Sequence, residues 1–374
     1  MSESEPSVST VVKTKVIDGD GHVLEDVAGI IEHMEEPYRS MALTATELRA
    51  VGTMEIFPPL DHLHTGRAVE TPPLRDRRPL AGPELWGSFL DDVGIERTVM
   101  YPTRGLAFGH VVSLDYAVVV ARAYNDWLAD TYLRADARFN GMALIPIQDP
   151  DEAVKELRRA VQELGMRGAM LPSNGLPQLL GAKAYWPVFA EAERLGCSLS
   201  IHGGAHDGFG MDHLNMYIPV HALGHPWGLM INLASILYNG VFDRFPGIRL
   251  GFLEGGVAWL LMCMERFHAS HETHFQYIPP NELGLREEQR PDRYIVEQIK
   301  AGRLFVGCET EELTMPFALK VVGNEAFFYS SDYPHEVTNA TCKHDIAELA
   351  ESDQLTQADK DAILFGNAER FYRF

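Results

Sequence analysis

Glu163-Leu164-Gly165-Met166-Arg167-Gly168-Ala169-Met170-Leu171-Pro172 holds the architecture of this chain in miniature. A helix with apolar residues at Ala153, Leu157, Ala160, Val161 and Leu164 ends here, Gly165 supplies a left-handed cap, and an apolar strand begins within three residues. The same order recurs where Asp92-Val93-Gly94-Ile95 leads to Val99-Met100-Tyr101-Pro102. It recurs again at Arg194-Leu195-Gly196-Cys197 before Ser198-Leu199-Ser200-Ile201-His202, and at Val321-Val322-Gly323-Asn324 before Phe327-Phe328-Tyr329. Joints of one kind repeated along a chain imply helices alternating with parallel strands. Strands are expected at 15–19, 97–101, 140–145, 168–171, 198–201, 248–253, 303–307 and 327–331. Eight of them fit a closed cylinder better than an open doubly wound sheet. The expectation is an α/β fold, a (β/α)8 TIM barrel forming one domain over 1–374.

Three stretches stand outside the repeat: the proline-rich 51–83 with His62 and His64, the glycine- and histidine-rich 203–225, and the polar 269–300. Long insertions after barrel strands cover the active face or make subunit contacts, so a homo-oligomer, or a hetero-oligomer with a paralogous subunit, is expected. Phe371 and Tyr372, after a capped helix beginning at Thr356, are expected against the outside of the barrel.

Of 374 residues, 46% are hydrophobic and 23% charged, ordinary values for a chain with a large core. A formal charge of −21 argues against nucleic acid and anionic membrane as partners, because both need a basic footprint. Cys197, Cys263, Cys308 and Cys342 form no metal or redox pair and read as reduced thiols. Met1 to Thr10 has no secretory pattern, and no apolar run approaches the roughly 18 residues of a membrane helix. A cytoplasmic protein is expected.

Side chains able to bind metal stand where several strands end. The first run reads Val16-Ile17-Asp18-Gly19-Asp20-Gly21-His22, with Glu25 following. The fifth stops at His202, the sixth at Glu254, and the eighth at Asp332 with His335 close behind. Asp20 and His22 alternate, which puts both on one side of an extended segment. Singly, each has an ordinary explanation as a turn, cap or core residue. Glu254, between Leu250-Gly251-Phe252-Leu253 and Gly255-Gly256, is the hardest to explain so, because a carboxylate at a buried strand end must be paired or coordinated. Together they gather on the rim where barrel chemistry sits.

Ile17-Asp18-x-Asp20-x-His22, His202, Gly240-Val241-Phe242-Asp243-Arg244-Phe245-Pro246 and Ser331-Asp332-Tyr333-Pro334 resemble the amidohydrolase-related superfamily, in its aminocarboxymuconate-semialdehyde decarboxylase branch. The resemblance covers roughly 15–371 and implies a metal-dependent barrel enzyme that decarboxylates, cleaves C–C bonds or hydrolyses amides or lactones. Two departures stand out. Asp20-x-His22 replaces the branch's HxH, and Glu254-Gly255-Gly256 replaces a histidine before two glycines. The carboxylate-rich set is similar to that of the superfamily's dinuclear iron or manganese–iron monooxygenases, of which 2-aminoisobutyrate hydroxylase is one.

The expected metal ligands are therefore Asp20, His22, Glu25, His202, His225, Glu254, Asp332 and His335. They are too many for one ion and suit two divalent ions, iron or manganese, with zinc as the alternative. Glu254, Asp332 and His202 are expected to be catalytic, and Arg104 and Tyr333 to bind a small-molecule substrate. One expected function is hydroxylation of that substrate with O2. The alternative is metal-dependent hydrolysis or decarboxylation of a small carboxylate, amide or lactone, with Glu254 or Asp332 as general base. A scaffold subunit without activity fits least, since the ligand set is complete.

Overall fold

A computed structural model describes residues 15–47, 56–61, 81–278, 284–309, 312–335 and 337–374; His62 and His64 lie outside them. Every expected strand forms: β1 Ile17–Val23, β2 Arg97–Pro102, β3 Phe139–Leu144, β4 Gly168–Pro172, β5 Ser198–His202, β6 Arg249–Leu253, β7 Leu304–Cys308 and β8 Phe327–Tyr329. Each pairs in parallel with its sequence neighbour, in the order β1 to β8. Almost every strand residue is buried, as a parallel sheet covered by helices requires. The cylinder closes between β8 and β1 through loop backbone: Asp332 N donates to Asp20 O at 2.9 Å and His22 N donates to Tyr333 O at 2.7 Å. This seam coincides with the metal-ligand type residues. Among the described residues no helix is long and apolar enough to cross a membrane.

The glycines of the repeated joint behave as their position demands. Gly94, Gly165 and Gly196 take φ of 89°, 74° and 65°, the left-handed region that stops a helix. Gly323 takes φ 89° with ψ 178°, a conformation that only glycine adopts readily. Gly168 answers to space: a Cβ there would lie 1.7 Å from Ser198 O on the next strand. Gly168→Ala is therefore expected to cost roughly 3 kcal/mol of stability, read as a lower urea midpoint at unchanged slope. An unchanged midpoint would contradict this packing.

Several expectations are corrected. Strand β1 does not stop at residue 19 but continues to Val23, with an irregular register between Asp18 and Gly21, so Asp20 and His22 are strand residues. Much of 203–225 is not loop, because a helix spans Tyr217–Tyr238 with Pro226 inside it. Within 269–300, the helix Ala258–His274 that follows β6 and the helix Pro291–Lys300 that leads into β7 account for both ends of the stretch, so those parts belong to the barrel's own helices. Phe371 and Tyr372 do not lie on the outside. Phe371 lies against Gly251 and stacks near Phe305 and Phe328, while Tyr372 OH reaches Gly19 O at 2.5 Å and Tyr101 OH at 2.7 Å. These two rings fill the barrel interior, with Tyr101 OH also 2.6 Å from Ser200 Oγ, two residues before His202 on β5.

Candidate metal centre

Asp20 and His22 of β1, His202 at the end of β5 and Asp332 after β8 converge. Asp20 Oδ1 lies 3.1 Å from His202 Nε2 and 3.5 Å from His22 Nε2, and Asp332 Oδ1 lies 3.4 Å from His22 Nε2. His335 Nδ1 meets Asp332 Oδ1 at 2.6 Å, its Nε2 meets Thr103 Oγ1 at 2.9 Å, and its ring lies 4.2 Å from that of His22, tilted by 32°. Beneath them Asp18, which is fully buried, accepts from Thr98 Oγ1 at 2.6 Å and from Ser331 N at 2.9 Å. Asp18 thus ties β1 to β2 and to the segment after β8, fixing the ligand residues on both sides of the seam.

The protonation state of His22 is legible from its contacts. Nδ1 lies 2.9 Å from Pro102 O, a carbonyl that can only accept, so Nδ1 carries the proton. Burial first, then the neighbouring imidazoles of His335 and His202, hold its pKa well below the usual histidine value, so the ring is neutral. Nε2 is then a bare lone pair. Among the described residues it is buried with no hydrogen-bond partner and faces two carboxylate oxygens. Acceptors converging on one buried point repel each other unless a cation lies between them. The residues present fit a divalent ion held by Asp20, His22, His202 and Asp332.

Among the described residues the ring nitrogens of His202 meet acceptors: Gly203 O at 3.1 Å and Glu254 Oε2 at 3.3 Å from Nδ1, and Asp20 Oδ1 from Nε2. Burial works against its charge, but Asp20 and then Glu254 prevail and raise its pKa well above the usual value. Burial also pushes Asp20 up to about 6, against the pull of His202. Without metal, the His202 imidazolium balances these carboxylates; a metal ion would displace that proton, since ligation needs a neutral imidazole.

Glu254 starts a second grouping. Its backbone takes φ 63°, a strained conformation for a residue with a side chain, and Gly256 follows at φ 67°. Its Oε1 lies 3.2 Å from His225 Nε2, and ligand atoms of His221, His225 and Glu254 all lie within 4.8 Å of one another. Nδ1 of His225 donates to His221 O at 2.7 Å, which turns Nε2 toward the carboxylate. Burial raises Glu254, but His225 and His202 outweigh it and hold the acid well below its usual range; the same carboxylate raises His225 against the opposing effect of burial. A cavity of about 960 Å³ opens onto Glu254 and Asp332, with His221, His225, Glu309 and Ser331 among its walls.

Seven of the eight expected ligands gather here, in two adjoining sets. Glu25 does not. Its oxygens accept the amides of Arg104 at 3.0 Å and Gly105 at 2.9 Å, so this buried acid holds the loop after β2. Arg104 gives its amide to that bond, and its exposed side chain is not among the residues that line this cavity. The ring of Tyr333 stacks on Phe89 at 3.8 Å and meets Trp86 edge-on, and it is not among the residues that line this cavity. The sequence reading missed Asp18 and His221. His221 had a signal, since it stands four residues before His225, the spacing that aligns side chains on one helical face.

Imidazoles and carboxylates around a cation position at the mouth of a (β/α)8 cylinder define a metal-dependent barrel enzyme. The chain belongs to the amidohydrolase family, whose model matches residues 17–374. It is 28% identical over 290 residues to gamma-resorcylate decarboxylase of Rhodococcus jostii, covering 71% of this chain and 82% of the relative. It is 26% identical over 282 residues to 2-amino-3-carboxymuconate-6-semialdehyde decarboxylase of Dictyostelium discoideum, covering 75% and 73%. Among solved structures, 5-carboxyvanillate decarboxylase of Novosphingobium aromaticivorans with manganese superimposes at a TM-score of 0.69, with 18% identity and 97% of each chain covered. Dihydroxybenzoic acid decarboxylase of Polaromonas, also with manganese, gives 0.65 at 19% identity over 96% of this chain and 97% of that one. At these identities the structural likeness speaks to the fold.

Proposed function

We propose that this chain is a metal-dependent carboxy-lyase acting on a small organic acid. The observation that carries the reading is the bare Nε2 of His22 facing Asp20 and Asp332, a position built for one divalent ion. The related decarboxylases, with manganese in three of the solved structures, support the chemistry. Asp20, His22, His202 and Asp332 would hold the ion, and two carboxylates in the set favour manganese or iron, with zinc as the alternative. When bound, the ion supplies Lewis acidity toward the oxygens of the substrate.

The remaining chemistry belongs to the chain's own groups. Decarboxylation replaces a C–C bond with a C–H bond, so a proton must reach the carbon that loses CO2. His225 Nε2 and Glu254 Oε1, 3.2 Å apart on the cavity wall, would share the proton that is delivered to that carbon. Apolar side chains make up part of the cavity wall, Ile218, Ala222 and Val337 among them. Four buried free cysteines fit a reducing compartment such as the cytoplasm.

One observation favours a second reading. His221, His225 and Glu254 form a ligand-type grouping of their own beside the first, and Glu254 reaches both His225 and His202. Filled by a second iron or manganese, that grouping would make the centre dinuclear and suited to O2-dependent hydroxylation. Metal analysis combined with turnover of a panel of small aromatic and unsaturated acids under argon separates the two. Anaerobic CO2 release with one equivalent of metal supports the lyase. Two equivalents and oxygen consumption matched to product would overturn it.

A further inference from the structure

Behind His225 lies a buried acid–imidazole pair that the chemistry above leaves unused. Asp61 and His206 are both 0% exposed, and His206 Nδ1 donates to Asp61 Oδ2 at 3.1 Å. The backbone repeats the link, with His206 N donating to Leu60 O at 2.9 Å. The segment carrying Asp61 is anchored by buried Ile56 and Phe57, the latter edge-on to Tyr124 at 6.4 Å. The ring of His206 meets the ring of His225, with centroids 4.6 Å apart at 76°.

The helix is shaped to allow that contact. A Cβ on Gly224 would lie 2.2 Å from the His206 ring, and a Cβ on Gly203 would lie 2.9 Å from the His225 ring. His225 is therefore enclosed by His206 on one side and by His221, with centroids 4.4 Å apart, on another. An apolar ring would fill the space behind His225 equally well. What Asp61 adds is direction: a carboxylate on Nδ1 fixes the tautomer and tilt of the ring it holds.

We propose that Asp61 and His206 are positioning residues that set the orientation in which His225 meets Glu254. This rests on the assignment of the His225–Glu254 pair to proton delivery, but the orientation itself can be read without turnover. The test uses [15N]histidine-labelled manganese-free protein, with the His225 signal assigned through His225→Gln, and steady-state kinetics of the manganese-loaded enzyme. Asp61→Asn is expected to shift the His225 ring resonances while those of His22 stay in place. It is also expected to lower kcat about 10- to 100-fold with KM within about twofold. Unchanged His225 resonances would overturn the proposal, as would a loss confined to KM. If no carboxylic acid is turned over at all, the proton-delivery assignment fails, and the resonance shift alone decides the positioning. Should Asp61→Asn not fold, His206→Gln, which keeps a donor toward Asp61 and removes the ring, carries the same readouts with the same expected and overturning results.

Discussion

Asp332→Asn is expected to strip the metal and lower turnover by about a thousandfold while leaving the barrel folded. Asparagine is the informative replacement because Asp332 has φ 54°, which asparagine tolerates and alanine does not, so a change in backbone strain does not confuse the result. The seam bond from Asp332 N to Asp20 O is backbone and survives the substitution. What is lost is one negative charge facing the lone pair of His22. A Lewis acid contributes several kcal/mol to a reaction of this kind, and about 4 kcal/mol corresponds to a factor of a thousand. Metal content by mass spectrometry and kcat by CO2 release are the two measurements. A variant that keeps a full equivalent of metal would remove Asp332 from the ligand set.

Glu254→Gln tests the other half of the site, with an expected fall in turnover of about 10²- to 10⁴-fold, the usual range for loss of a positioned acid–base group. Glutamine preserves shape but removes the charge that raises His225 and His202. If Glu254 works with a proton, the variant keeps its single equivalent of metal and loses rate. If Glu254 holds a second ion, metal content falls from two equivalents to one. The result therefore chooses between lyase and dinuclear oxygenase.

The barrel was legible because its period is repeated and local. Glycine caps before apolar strands mark every joint of that kind, and seven strand boundaries agree with the expected ones to within two residues at each end. Strand β1 was the exception: its end was expected at residue 19, whereas the glycines flanking Asp20 carry the strand on to Val23 through an irregular register. The ligand residues were legible for a related reason, as strand ends in a barrel share one rim. What sequence could not separate was a carboxylate aimed at a metal from one aimed at backbone. Glu25 is a buried acid and Glu254 a partly buried one, both just past a strand, and only the fold shows that Glu25 is saturated by the amides of Arg104 and Gly105. The helix bearing His221 and His225 was obscured by Pro226, a residue that usually ends a helix and here sits inside one. Arg104 and Tyr333 lie outside this cavity's lining, since proximity in sequence to a strand end does not fix the direction of a side chain.

The central claim is that Asp20, His22, His202 and Asp332 surround a cation. Anomalous diffraction at the manganese edge, from crystals grown with manganese chloride, tests it most directly. The account predicts a strong peak within coordination distance of all four side chains. A peak seated only among His221, His225 and Glu254, or none at this mouth of the barrel, would contradict it.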